Sequence, residues 1–210
     1  MTVLSTKERI LDTTEKIISE KGFSGISLRS LSNIAQTNLA AVNYHFGNKE
    51  KLIEEMLERR LNNLFELRIK LLDELESGSD SPCNLRQILE AFIAPALTMS
   101  NDNHQGGKRF MQVLARAYAE KSEFLHELLS KKYANVIKRF ATALQRACPE
   151  LDKKVIFWRF HFIMGALVYV MADFGASSRS GGMSDSEYFN TCCNELIDFA
   201  QCSLQNSLEK

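Results

Sequence analysis

The stretch from Ser27 to Lys49, SLRSLSNIAQTNLAAVNYHFGNK, constrains the fold most: its punctuation leaves room only for two short helices around a tight turn, followed by the start of a long helix. The helix before it carries Ile10, Leu11, Ile17 and Ile18, with Thr14 between, at helical spacing. It stops at Lys21-Gly22-Phe23, where Gly22 is predicted to take the left-handed conformation of a glycine C-cap and Phe23 to fold back on the last turn. Ser27 is the N-cap of the next helix, and Ile26 and Leu31 are spaced as a hydrophobic staple across it. Leu28, Leu31, Ile34 and Ala35 form the expected buried stripe.

Gln36-Thr37 make the turn, and Asn38 caps a helix running from Leu39 to Phe46. Val42 and Phe46 share its inner face, with Leu39 near the edge, while Ala40, Asn43 and Tyr44 point outward. Small alanines beside an amide suit a groove better than water. They permit close approach and touch thymine methyls, and Asn43 has the donor and acceptor that pair with adenine. Gly47 and Asn48 end this helix and cap the following one, so Lys49 stands at a helix N-terminus, where free amides favour a phosphate. Ser27, Arg29, Asn38, Ala41, Tyr44 and His45 complete the candidate DNA-contact set. Leu28, Leu31, Ile34, Val42 and Phe46 are read as core. Tyr44 fits packing as well as phosphate contact, and His45 fits a structural histidine as well as a DNA contact. The joint arrangement favours DNA, as does one charge feature: between Glu20 and Glu50 the chain carries Lys21, Arg29 and Lys49 and no carboxylate.

With these residues in place, the first fifty or so positions resemble the DNA-binding domain of the TetR family of one-component bacterial regulators. The signature is Tyr44-His45-Phe46-Gly47-Asn48-Lys49-Glu50. The match is close over about a quarter of the chain and extends to the rest in helical layout only. It departs at two positions, with Gln36 where the family usually has glycine and Asn43 where an aromatic is common. The string Asn38 to Gly47, with Phe157-Trp158-Arg159-Phe160-His161-Phe162 later, is similar to the branch that includes fatty-acid-responsive repressors. The resemblance implies a homodimer formed through the last two helices, a double-stranded operator and a small-molecule effector.

The chain has 210 residues, enough for one domain or two, and equal numbers of acidic and basic side chains, 26 of each. A neutral total rules out strong non-specific nucleic-acid affinity from bulk charge, so DNA binding requires a local basic patch. The N-terminus lacks a hydrophobic segment before Lys7 and Glu8, so no signal peptide is apparent and the cytoplasm is expected. The apolar stretch from Val155 to Ala172 contains Arg159 and His161 and falls short of the ~20 apolar residues of a spanning helix. It reads as a buried helix, with no membrane partner. Cys83, Cys148, Cys192, Cys193 and Cys202 show no Cys-x-x-Cys spacing, which argues against a disulfide framework or a zinc site; Cys192-Cys193 read as packed thiols or an oxidant sensor.

The expected class is all-α, about nine helices. A helix-turn-helix domain over 1–48 is joined by a long helix, Lys49 to about Leu75, to a larger ligand-binding and dimerisation bundle within 49–210. Further helices are expected over Asn84–Leu97, Lys108–Ala119, Ser122–Ala147 with a possible bend, Asp152–Phe174 and Ser184–Leu204, separated by loops at 76–82, 101–107 and 177–182. The second part is rich in large apolar side chains. Phe92, Phe110, Met111, Leu114, Tyr118, Phe124, Tyr133, Phe157, Trp158 and Met164 are ordinary core or the lining of a cavity for a hydrophobic effector. Arg116, Arg159 and His161 are the polar groups placed to meet an anionic head, which favours a carboxylate or acyl thioester; Arg116 fits a solvent face with Arg109 and Gln112 equally well.

The expected function is that of a ligand-responsive regulator, a repressor that leaves its palindromic operator when an acyl-type molecule binds, and not that of an enzyme. No cofactor, metal set or catalytic residue is indicated, since the chain has no His-Glu-x-x-His, no phosphate-binding glycine loop and no nucleophile elbow. The alternatives are a helical-bundle enzyme and a protein-binding adaptor without DNA binding.

Overall fold

The computed structural model describes residues 5–78, 83–101, 106–120, 123–172 and 181–205, apart from the side chains of residues 119, 123, 124, 185 and 186. Among the described residues there are ten α-helices, one 3-10 turn and no strand. The helices are α1 (Thr6–Lys21), α2 (Leu28–Ile34), α3 (Leu39–Phe46), α4 (Lys49–Ser77), α5 (Leu85–Asn101), α6 (Gly107–Ala119), α7 (Glu123–Lys131), α8 (Ala134–Ala147), α9 (Lys153–Ala172) and α10 (Asp185–Gln205). The 3-10 turn, Phe23–Gly25, lies between α1 and α2. The count exceeds the expected nine because the span from Ser122 to Ala147 does not merely bend: α7 ends at Lys131 and α8 starts at Ala134. The expected loops at 76–82, 101–107 and 177–182 lie largely outside the described residues.

Two compact units result. The first is formed by Met1–Asn63 with Arg109–Lys132, the second by Leu64–Lys108 with Tyr133–Lys210. By packing, the division falls within α4, within the start of α6 and between α7 and α8.

In the first unit the helix ends are set by short polar side chains. Ser5 Oγ accepts from Glu8 N–H at 3.2 Å, Ser27 Oγ from Ser30 N–H at 3.1 Å, Asn38 Oδ1 from Ala41 N–H at 2.6 Å and Asn48 Oδ1 from Lys51 N–H at 2.8 Å. Each satisfies an orphan amide of a first helical turn. Gly22 N–H closes α1 by donating to Ile18 O at 2.9 Å. Its backbone, at φ +76° and ψ 179°, has the positive φ expected but an extended ψ instead of the left-handed one, a region open essentially to glycine alone. The core is built from Ile10, Ile18, Leu31, Val42 and Phe46, closed by Leu52, Ile53, Met56 and Leu57 of α4.

Ile34 is a correction to the expected stripe, being 51% exposed. Leu31 and Ala35 are buried and Leu28 half-buried, but the fourth inward position belongs to Ser32, whose hydroxyl donates to Arg29 O at 2.9 Å. At 3.6 residues per turn, positions 28, 31, 32 and 35 share a face, and 34 is turned about a third of a revolution from its centre.

The second unit centres on aromatic rings. Phe92 of α5 meets Phe140 of α8 at 5.0 Å and Phe160 of α9 at 4.9 Å between centroids, and Phe65 of α4 stacks on Tyr133 at 4.1 Å. Buried among them is Arg68 of α4, whose Nε donates to Phe92 O at 2.8 Å and whose guanidinium lies 3.9 Å from the Phe92 ring. A cation over a ring face is attracted by the ring quadrupole, which offsets part of its desolvation. Against this core α9 buries Ile156, Phe160, Ile163, Leu167 and Met171, and α10 buries Leu196, Ile197, Ala200 and Leu204.

Candidate nucleic-acid interface

The outward face of α3 is presented as its sequence predicts. Val42 and Phe46 are buried, whereas Ala40 and Asn43 are exposed and Tyr44 is 86% exposed. A free amide, a methyl and a phenol along one face of a two-turn helix offer paired hydrogen bonds, close approach and a phosphate contact. Ala41 and His45 are half-buried, and the His45 ring meets Tyr44 edge-on at 5.4 Å and Phe46 at 6.0 Å. Arg29 is exposed on α2. Ser27 and Asn38 are also exposed, but each has its side-chain oxygen engaged in a helix cap.

Two features of this face were not visible in sequence. Lys49 is half-buried and its Nζ donates to Phe23 O at 3.1 Å, so it braces the 22–25 turn in addition to standing at the start of α4. The run without carboxylates is also interrupted in space, because Glu120 comes from α6 and its Oε2 accepts from Phe23 N–H at 3.3 Å. Leu39, at 41% exposure, joins Ile34 as an apolar side chain left open near the turn.

The candidate effector residues separate. Phe110, Met111 and Leu114 are buried in the first unit, and Phe92 and Tyr133 in the second; Met164 is half-buried. Tyr118 is 49% exposed, and the side chain of Phe124 lies outside the described residues. Phe157 and Trp158, at 53% and 58% exposure, and His161 are corrections: they stand on the outer face of α9 and do not line an interior. The inward stripe 156, 160, 163, 167, 171 follows helical spacing, and the remaining aromatics fall outside it. Phe162 (65%) and Tyr169 (53%) share this outer surface, and Phe199 of α10 is 57% exposed.

The three polar groups expected to meet an anionic head are engaged with backbone instead. Arg116 donates through Nε to Ser19 O at 2.9 Å and through a terminal nitrogen to Glu20 O at 3.1 Å. Arg159 donates to Ser203 O, and His161 Nδ1 is 2.9 Å from Phe157 O one turn back. For the two arginines, carbonyls in the last turn of a helix recruit the guanidinium, which periodicity cannot reveal.

All five cysteines are free, and burial pushes the Cys148 and Cys193 thiols up, away from the reactive thiolate. Among the described residues no three His, Cys, Asp or Glu side chains are grouped to hold a metal ion. Of the described helices, α9 alone is long and apolar enough to cross a membrane by length and composition, and its inward stripe is packed in the second unit.

The family described as "Bacterial regulatory proteins, tetR family" matches residues 10–56, and "Tetracyclin repressor-like, C-terminal domain" matches residues 90–201. The chain is 27% identical over 127 residues to the "Probable HTH-type transcriptional regulator YttP" of Bacillus subtilis, covering 60% of this chain and 57% of that protein. It is 33% identical over 88 residues to the "HTH-type transcriptional repressor NicS" of Pseudomonas putida, covering 42% and 40%. The chain thus spans about half the length of these curated relatives. In fold it is similar to the ketosteroid transcriptional regulator KstR2 of Mycobacterium tuberculosis, with a TM-score of 0.66 at 16% identity, covering 98% of each chain.

Proposed function

The chain belongs to the TetR family of bacterial regulatory proteins, and on that premise we propose that it is a cytoplasmic, ligand-responsive transcriptional repressor that covers a palindromic operator as a homodimer. Members of this family are DNA-binding regulators and not enzymes, which removes the enzyme alternative. The observation that carries the reading is the exposed face of α3, with Ala40, Asn43 and Tyr44 clear of the core that Val42 and Phe46 anchor.

The homodimer is supported by the outer faces of α9 and α10. Phe157, Trp158, Phe162, Tyr169 and Phe199 leave an apolar surface that a two-fold partner would bury. Two recognition helices would then reach half-sites roughly 34 to 36 Å apart.

The effector proposed is hydrophobic. Phe92, Tyr133 and Met164 of the second unit remain its candidate contacts, whereas Phe110, Met111 and Leu114 are buried within the first. For an acyl-type effector the proposed contacts are apolar, since Arg116, Arg159 and His161 are bonded to backbone carbonyls and the buried Arg68 donates to Phe92 O. Release requires the effector to prefer the DNA-incompetent geometry, since equal affinity for both states shifts nothing.

Selection of duplexes from a random-sequence pool tests the regulator. The expected product is an inverted repeat bound with strong salt dependence, and failure to enrich any duplex rejects DNA binding. Adding fatty acids and acyl thioesters of graded length to the selected complex tests the effector. Unchanged binding across that panel rejects the acyl proposal and leaves the regulator standing.

A further inference from the structure

The N-terminal end of α3 is built without charge. From Gln36 to Asn43 no side chain is charged, and the first turn of α3 carries no carboxylate. Asn38 closes that turn from both of its oxygens: Oδ1 accepts from Ala41 N–H at 2.6 Å, and its carbonyl accepts from Ala41 and Val42 N–H at 3.1 and 3.3 Å. Leu39 is therefore the first residue of a fixed turn, and it is 41% exposed although Val42 and Phe46 of the same helix are buried. Single exposed leucines are common on protein surfaces, so exposure alone assigns nothing. Place separates Leu39 from Ile34, the other apolar side chain open near the turn: Ile34 ends α2, whereas Leu39 opens the helix whose outward residues are Ala40, Asn43 and Tyr44. Side chains on a helix lean toward its N-terminus, and in a helix-turn-helix the N-terminal residues of the second helix meet base edges. Leu39 and Asn43 are four residues apart, so their Cβ atoms are neighbours on one face at roughly 5–6 Å. With about 3.4 Å between successive base pairs, that spacing is about one or two steps of duplex.

We propose that Leu39 reads a pyrimidine 5-methyl group in the major groove, about one or two base pairs from the base met by Asn43, so that thymine and 5-methylcytosine are accepted there and uracil and unmethylated cytosine are disfavoured. The inference rests on the regulator reading above. An isobutyl side chain has no hydrogen-bonding atom, so it pairs neither with the O4 acceptor of thymine nor with the N4 donor of cytosine. The methyl is the one feature of a pyrimidine edge that it can bury. The step is then specified by a methyl and not by base identity. Such readout follows from a leucine at this position, and a polar side chain there would not provide it.

Binding of the full chain to the duplex selected from the random pool tests this, with thymine, uracil, cytosine or 5-methylcytosine placed in turn at each pyrimidine of the half-site. Thymine differs from uracil, and 5-methylcytosine from cytosine, by one methyl, with base pairing unchanged. For the unmodified protein, removing the methyl at one position per half-site is expected to weaken binding about fourfold in both comparisons, the worth of one buried methyl. Leu39→Ala should erase both differences at that position and leave any other methyl-sensitive position as it was, whereas Leu39→Met should retain them. A leucine that merely packs the end of α3 would weaken every duplex alike in the alanine variant, and that result overturns the proposal. A half-site with no methyl-sensitive pyrimidine, or a methyl preference unchanged in Leu39→Ala, overturns it as well while leaving DNA binding intact. Failure of the unmodified protein to bind any duplex overturns the regulator reading, and the methyl contact with it.

Discussion

Asn38 stands at the start of α3 with its Oδ1 2.6 Å from Ala41 N–H, the shortest of the four side-chain caps in the first unit. Replacing it by alanine leaves that amide without its cap, so Asn38→Ala is expected to cost about 1 kcal/mol in urea unfolding. The neighbouring Gln36 has φ +50° without the freedom of a glycine. A non-glycine residue pays about 1–2 kcal/mol there, while glycine loses about 0.5–1 kcal/mol through its more flexible unfolded chain. Gln36→Gly is therefore expected to raise stability by a few tenths to about 1 kcal/mol, and a lower urea midpoint would contradict the strain. Features of this kind were legible in sequence because a cap involves residues three positions apart. Lys49, Arg116 and Glu120 were not, because their partners are backbone atoms 26 to 97 positions away.

At the scale of elements, α1 and α4 are joined by charge as well as by packing. Arg59 donates to Glu8, Asp12 and Glu15, and Arg60 to Glu15, whose side chain is only 2% exposed. Burial works against the Arg59 charge, but the bond and charge of Asp12, the bond to Glu8 and the charge of Glu15 together outweigh it and hold the guanidinium above its ordinary pKa. Arg59→Ala should destabilise by about 2 kcal/mol, less than the ~3–5 kcal/mol of a fully buried pair because Arg60 still faces Glu15. A loss within a few tenths of zero in chemical unfolding would show that the cluster is ornamental. Glu15 was the available signal, a carboxylate between Leu11 and Ile18 on an otherwise apolar face.

The start of α10 responds to pH. Glu187 Oε2 accepts from Ser184 N–H at 2.9 Å and from its hydroxyl at 2.8 Å, and these bonds hold its carboxyl below the ordinary carboxylate range. With the folded value lowered, the stabilisation is present above the unfolded carboxylate pKa of about 4.3 and is lost as pH falls through the folded one. Protection factors of the first amides of α10 should drop in that window, and Glu187→Gln should abolish the drop.

For the whole molecule, α9 explains why the effector set was only partly legible. It is apolar around its circumference, so its sequence shows that it needs burial on more than one side but not which side meets its own chain. The structure assigns Phe160 inward and Phe157, Trp158 and Phe162 outward. Phe162→Glu is accordingly expected to weaken self-association on the order of 30-fold in sedimentation equilibrium, with parallel loss of operator affinity. A monomeric unmodified protein would refute the two-fold assembly.

The exposed face of α3 is proposed to read a DNA sequence. Fluorescence anisotropy titrations of the unmodified protein and Asn43→Ala, against the selected duplex and its single-base-pair variants, test it most directly. Asn43→Ala is expected to lose about 1–3 kcal/mol of discrimination at one position of each half-site and to keep it elsewhere. Equal weakening on every duplex, or unaltered discrimination at every position, would contradict it.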